Sequence, residues 1–219
     1  MVASTAAMMA GGLQEPEGDF GNVHRWLCSS GRTAAGACER AVLNDGTTVA
    51  LRPLTPADGD RVLAYFDGLS PGSLYRRFHH RIRELSPGVR QAMVSTDGRR
   101  HVALGAFHGG SLVGASRYFR AADVENAAEV AFSVADAYQR RGLGRALLLG
   151  LARLARESGI DRFLFTVQGD NEPAVRLLTG GRKVPAGQGV QFSGGVSVDA
   201  LLARCAERAS AWNERETGQ

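Results

Sequence analysis

Between Gln139 and Ala146 the chain reads Gln-Arg-Arg-Gly-Leu-Gly-Arg-Ala. Glycines at Gly142 and Gly144 let main-chain amides come close to a ligand. Where such a turn opens a helix, the first N–H groups lack partners and carry partial positive charge. Together these features bind phosphate oxygens. A Walker loop would need a lysine and a hydroxyl after the last glycine, and neither is present. A dinucleotide fingerprint would need a third small residue where Leu147 stands. The turn is thus a phosphate cradle of another kind, built on the amides of residues 141–145. Arg140, Arg141 and Arg145 are candidates to pair with phosphate charge, against the alternative of merely solvated arginines.

A second candidate precedes the turn. In Ala128–Val134, Val130, Phe132 and Val134 share one face of a strand, and Glu129, Ala131 and Ser133 share the other. A carboxylate among small residues can take up a proton, and its competing reading is an ion pair with an arginine. Downstream, Asn171-Glu172-Pro173 opens a helix, where Asn171 either caps it or contacts a ligand. His79 and His80 are read as surface or partly packed residues, and Tyr138 as packing. Cys28, Cys38 and Cys205 are scattered without metal-ligand spacing, so neither a metal site nor a disulfide framework is expected.

These residues need a scaffold, and turn chemistry marks its pieces. Thr47–Arg52 alternates as a strand closed by Pro53. Thr55-Pro56, Ser70-Pro71 and Ser86-Pro87 each put a hydroxyl at an N-cap and a proline at the first helical position. Apolar spacing supports two short helices after the first two of these. His101–Phe107 and Ser111–Phe119 form a hairpin through Gly109-Gly110. Leu143, Ala146, Leu147, Leu151, Leu154 and Ala155 make a stripe at 3.6-residue spacing, predicting a helix over Gly142–Ser158. Arg162–Val167 is a buried strand, Asn171–Thr179 a helix, and Val190–Phe192 a terminal strand. From Val198, the positions Leu201, Leu202, Cys205, Ala209 and Trp212 predict an amphipathic helix. Whether it packs on its own domain or on the second subunit of a homodimer stays open.

With 219 residues the chain is one domain plus a margin. Its 44% hydrophobic and 22% charged residues exclude wholesale disorder, and no apolar run is long enough to span a bilayer, so no membrane association is expected. The net charge of +4, carried almost wholly by arginine with Lys183 as the single lysine, is too small to argue for nucleic acid. Residues 1–40 lack periodicity and read as a flexible tail. Met1–Gly12 lacks the basic start and apolar core of a signal peptide, so the expected location is cytoplasmic.

The turn with Gln139, Gly142 and Gly144 resembles the acyl-CoA pyrophosphate loop of the GNAT N-acetyltransferase superfamily. Asn171-x-x-Ala174-x-x-Leu177 is similar to the family's helix after the following strand, and the element order matches over roughly Leu43 to Phe192. Leu51-Arg52-Pro53-Leu54, with Leu69-Ser70-Pro71 and Ser73–Phe78, further resembles the acetyltransferase domain of bacterial Pat-type protein lysine acetyltransferases.

The resemblance implies an α/β (α+β) fold, a mixed and mainly antiparallel sheet flanked by helices, with splayed central strands. It implies a GNAT domain over residues 41–196, after which the apolar stripe gives the C-terminal amphipathic helix over 197–219. It also implies acetyl-CoA as co-substrate, without a metal, held by Val134, Gln139, Arg140, Arg141, Gly142, Leu143, Gly144, Arg145 and Asn171. Glu129 is implied as base and a primary amine as acceptor, with a protein lysine ahead of a small amine. A silent acyl-CoA sensor is the rival reading. A lysine ammonium is neutral in only about one part in two thousand at pH 7, a cost of roughly 4–5 kcal/mol for attack, so a base is worth having. The thioester is already activated, so direct attack in a ternary complex suffices. Where many members place a tyrosine acid, this chain has Leu178, and Gly180-Gly181-Arg182 replaces the usual helix ending.

Overall fold

The computed structural model describes residues 39–81, 85–182, 184–185 and 190–203. The expected tail up to residue 38 lies outside these, as do Cys205, Ala209 and Trp212 of the C-terminal stripe. Seven strands form one sheet in chain order: β1 Glu39–Val42, β2 Thr48–Pro53, β3 His101–His108, β4 Ser111–Arg120, β5 Ala127–Val134, β6 Arg162–Gln168 and β7 Gln191–Ser197. Every neighbouring pair is antiparallel except β5 and β6. The expected mixed, mainly antiparallel sheet is therefore present.

Alternation along the strands sorts side chains onto two faces, each with its own apolar core. One core packs α1 Gly59–Asp67, α2 Pro71–Phe78 and α3 Pro87–Val94 against Ala103, Phe107 and Ala115. The other packs α4 Leu143–Glu157 and α5 Glu172–Thr179 against Val102, Leu104, Ala106 and Val130. The α4 stripe behaves as its periodicity predicts, with Leu143, Leu147, Leu151, Leu154 and Ala155 all buried. Residues 198–203 are helical, and Val198 and Leu201 join this second core, so the start of the C-terminal helix packs on its own sheet.

Ser86-Pro87 opens a helix as its residue types predict, the Ser86 hydroxyl accepting from the Val89 amide, although apolar spacing supports helices only after the first two of the three starts. Three elements depart from expectation. Thr55-Pro56 opens a 3₁₀ turn over Pro56–Asp58, and α1 follows it. Asp58 is committed there: its carboxylate accepts from the Thr55 amide and from both terminal nitrogens of Arg52, at 2.6 and 2.8 Å. Those Arg52 bonds, with the Thr55 contacts, outweigh burial and hold its pKa down to about 2. Strand β1 begins at Glu39, so Glu39 and Arg40 pair with Leu51 and Ala50 instead of belonging to the tail. Strand β7 runs to Ser197, well past Phe192. Glycines inside it mask the strand in the sequence, yet a Cβ on Gly194 would lie 3.0 Å from the Phe165 ring, so close packing requires the glycine.

One buried group makes this fold acid-sensitive. His101 is 8% exposed and stacks on Phe119 at 4.0 Å. Burial, aided by the nearby positive charge of Arg117, pushes its pKa down to about 3. Below pH 6.5 the unfolded chain therefore takes up a proton that the folded chain refuses until about pH 3, and stability falls across that window. Between about pH 7.5 and 4.5 the parent should lose about 2–3 kcal/mol more than His101→Gln, read from urea midpoints. Parallel pH profiles for the two proteins would refute this.

Candidate functional site

Strand β5 stays paired with β4 along its length, from Gly114 opposite Val134 to Arg120 opposite Ala128. Strand β6 stays paired with β7 from Arg162 to Gln168. Between them only Ala127, Ala128 and Glu129 find partners, opposite Arg162, Phe163 and Leu164. The two halves of the sheet therefore part beyond Glu129, and the expected splay of the central strands is present. A cavity of about 520 Å³ opens in the gap, walled by β5, β6, the turn before α4, α5 and the C-terminal half of α2. Glu129 lines it, half-buried, at the vertex where the strands part.

At the other end lies the glycine turn. Gly142 caps α4 with φ of 91°, in the left-handed region, and no side chain caps the helix. Among the described residues, no main-chain carbonyl accepts from the amides of Arg140, Arg141, Gly142, Leu143 or Gly144. The Arg145 amide, by contrast, already donates to the Gly142 carbonyl at 3.1 Å. Of the amides expected over residues 141–145, that of Arg145 is thus committed to the first helical turn, which closes on Gly142. Such a row of open amides suits an anion.

The hairpin between β1 and β2 buttresses this turn from outside. The Asn44 amide donates to the Arg141 carbonyl at 2.9 Å, and Asp45 holds the Arg141 guanidinium at 2.9 Å. The Arg141 side chain is thus drawn to Asp45 and lies over the Tyr138 ring, and Arg141 is not among the residues that line the cavity. The Leu143 side chain is buried in the core, and Leu143 likewise does not line the cavity. Val134, Gln139, Arg140, Gly142, Gly144, Arg145 and Asn171 all line the cavity.

Gln139 has a bracing position rather than an open one. Its Nε2 donates to the Ser73 hydroxyl at 3.0 Å and the Val134 carbonyl at 3.2 Å. Asp136 completes this joint, accepting from the Ser70 amide and from the hydroxyls of Ser70 and Ser73 at 2.8–2.9 Å. Burial pushes the Asp136 carboxyl up, but those donors together hold it below its ordinary value. Spacing alone marks Ser70 as a helix cap, which it is, and does not show that the same hydroxyl docks α2 onto the turn.

Asn171 starts α5 without a capping hydrogen bond from its side chain, and it lines the cavity. Leu178, buried on the same helix, gives this wall an apolar surface. His79 has a larger part than its sequence position suggests. It ends α2 in the left-handed conformation with φ of 62°, and its ring meets Gln168 Nε2 at 3.2 Å and the Thr166 main chain. It thereby ties α2 to β6 across the open gap, and burial lowers its pKa so that the strut is uncharged at neutral pH. Only its place directly after the Ser-Pro helix hints at this role.

Two buried arginines have no distinguishing signal in the sequence. Arg77 lines the cavity and is 7% exposed, while Arg117 is 2% exposed on β4, opposite Ala131. Burial lowers their pKa values to about 10 and about 9, the second helped by repulsion from Arg77. Beside them the Tyr65 hydroxyl donates to Ser133 at 2.9 Å, and burial raises its pKa. Among the described residues no group of three or more His, Cys, Asp or Glu side chains is placed to hold a metal ion. No described helix is long and apolar enough to cross a membrane.

The chain as a whole has similar proteins of known family. The chain is 34% identical over 140 residues to acetyltransferase PA5475 of Pseudomonas aeruginosa, covering 62% of this chain and 74% of that one. It is 33% identical over 130 residues to acetyltransferase Pat of Mycolicibacterium smegmatis, covering 58% of this chain but only 39% of that protein. The crystal structure of the GNAT domain of S. lividans PAT superposes with a TM-score of 0.67 at 31% identity, over 73% of this chain and 96% of that one. The family model described as the acetyltransferase (GNAT) family matches residues 68–179, from the Ser70 cap through the amide cradle to the end of α5. The chain belongs to that family and is an acetyl-CoA-dependent acetyltransferase.

Proposed function

We propose that this chain transfers an acetyl group from acetyl-CoA to the side-chain amine of a protein lysine, with Glu129 as the proton acceptor. The observation that carries the reading is the placing of Glu129 at the vertex of the parted strands, in one cavity with Arg140, Gly142 and Gly144 of the amide turn. The residues present fit the coenzyme. Gly142 adopts a left-handed backbone conformation at the start of α4, Arg140 and Arg145 stand at the cavity wall, and Asn171 keeps its amide uncommitted to a cap. Bound acetyl-CoA supplies an acyl group that is already activated. What remains for the protein is positioning and proton removal, and Glu129 answers the second need directly or through one water.

A lysine acceptor is supported by the similarity to the two Pat proteins, whose matched part is the acetyltransferase domain in the S. lividans case. The test is to add the chain and acetyl-CoA to a deacetylase-inhibited lysate, monitor free thiol, and identify acetylated products by mass spectrometry. Acetyl-lysine peptides that depend on the chain are expected. Thiol release without protein acetylation would move the acceptor to a small amine. Coenzyme binding with no thiol release for any amine would favour a silent sensor, the reading to which the apolar Leu178 lends its weight.

A further inference from the structure

The acceptor side of the cavity carries charge that proton transfer does not use. Glu129, Ala131 and Ser133 share the β5 face turned toward α1 and α2, as the bond from Tyr65 on α1 to Ser133 shows. Arg117 sits on the same face of β4, directly across from Ala131, and Arg77 reaches the cavity from α2. Both arginines are more than nine-tenths buried. Among the described residues, Nη2 of Arg77 and both terminal nitrogens of Arg117 have no hydrogen-bond partner. A buried guanidinium with unbonded nitrogens is costly, and two of them repel each other, so a bound molecule of opposite charge would relieve both costs. An acceptor carrying only ammonium groups would add a further cation to this space. An acceptor whose amine is accompanied by a carboxylate would offset it, and the planar guanidinium fork matches that group.

We propose that the acceptor half of the cavity receives a primary amine that carries a carboxylate nearby, with Arg77 meeting the carboxylate and Arg117 reinforcing it from behind. This rests on the amine-acetylation reading above and narrows its substrate class. The carboxylate could belong to a free amino acid or to an acidic side chain next to the target lysine, and the test separates the two.

The wild-type protein is given acetyl-CoA and matched acceptors while free thiol is followed. One arm compares ω-amino carboxylates of increasing length, and Nα-acetyl-lysine, with their uncharged amides. The other compares peptides in which a single lysine is flanked by aspartates or by asparagines. The expected result is at least a tenfold higher kcat/KM for the carboxylate member in one arm, and that arm identifies the source. In Arg77→Gln the ratio should fall to within about threefold while acetyl-CoA affinity is kept. Equal rates with and without the carboxylate in both arms overturn the proposal and leave amine acetylation standing, as would a preference that persists in a folded Arg77→Gln. No thiol release from any amine removes the acetylation reading and this proposal with it. The wild-type arms decide the matter even where Arg77→Gln does not fold.

Discussion

Gly142→Val should lower acetyl-CoA affinity by a hundredfold or more, about 3 kcal/mol in binding free energy. At φ of 91° Gly142 occupies a backbone region that costs an ordinary residue roughly 1–2 kcal/mol and is a true outlier for a β-branched one. The site is also tight, since a Cβ there would stand 3.1 Å from Asn44 Oδ1. The Asn44 main-chain amide holds the Arg141 carbonyl and fixes the outer side of the turn, so the Asn44 side chain would have to turn aside while its backbone stays in place. The cheapest escape is for residue 142 to leave the left-handed region, which rotates the neighbouring peptide planes and breaks the row of outward amides. Binding suffers because the cradle is made of main chain, which no side-chain substitution elsewhere can restore. Titration calorimetry with acetyl-CoA, beside a melting curve to confirm folding, checks this. A valine variant that binds within threefold of the parent would show that the coenzyme is held elsewhere.

Glu129→Gln has the other large expected effect: kcat/KM should drop by roughly two to four orders of magnitude while acetyl-CoA affinity stays unchanged. Glutamine keeps the size of the side chain at the strand vertex but cannot take a proton. The acceptor ammonium must then lose its proton to solvent before it binds, and neutral lysine is scarce at pH 7 by the factor of about two thousand set by its pKa of ~10.4. The variant should therefore regain about tenfold in rate for each pH unit up to the acceptor's pKa, whereas the parent should rise less steeply. Thiol-release kinetics from about pH 6.5 to 9.5 on both proteins, spanning the approach to that pKa, decide between base and bystander. Equal rates and equal profiles would remove Glu129 from the chemistry and turn attention to the rest of its face.

These two residues are legible in the sequence for different reasons. Gly142 belongs to a local pattern, glycines spaced by two at the mouth of a helix whose apolar stripe lies in the residues directly after them. Glu129 is found by alternation along one strand, which places it on a face but not at a vertex. Its position there depends on β6 leaving β5 after Leu164, and β6 is held by β7 instead. Strand β1 is hard to read because four residues at a sheet edge carry too little alternation to stand out, and β7 because Gly194 and Gly195 interrupt it.

The sequence by itself determined the order of elements from β2 onward, the Ser-Pro helix starts, the amphipathic α4 and the glycine turn, since each rests on propensities and spacings among residues a few positions apart. Tertiary structure alone decided which way the charged side chains go. Arg141 turns to Asp45 across 96 positions, Asp136 joins α2 to the turn across 66, and Arg77 and Arg117 are brought together inside the molecule. Arginines look alike in a sequence because their charge is the same. What separates a solvated one from a buried one is the packing of distant segments around it, and that packing exists only once the chain has closed on itself.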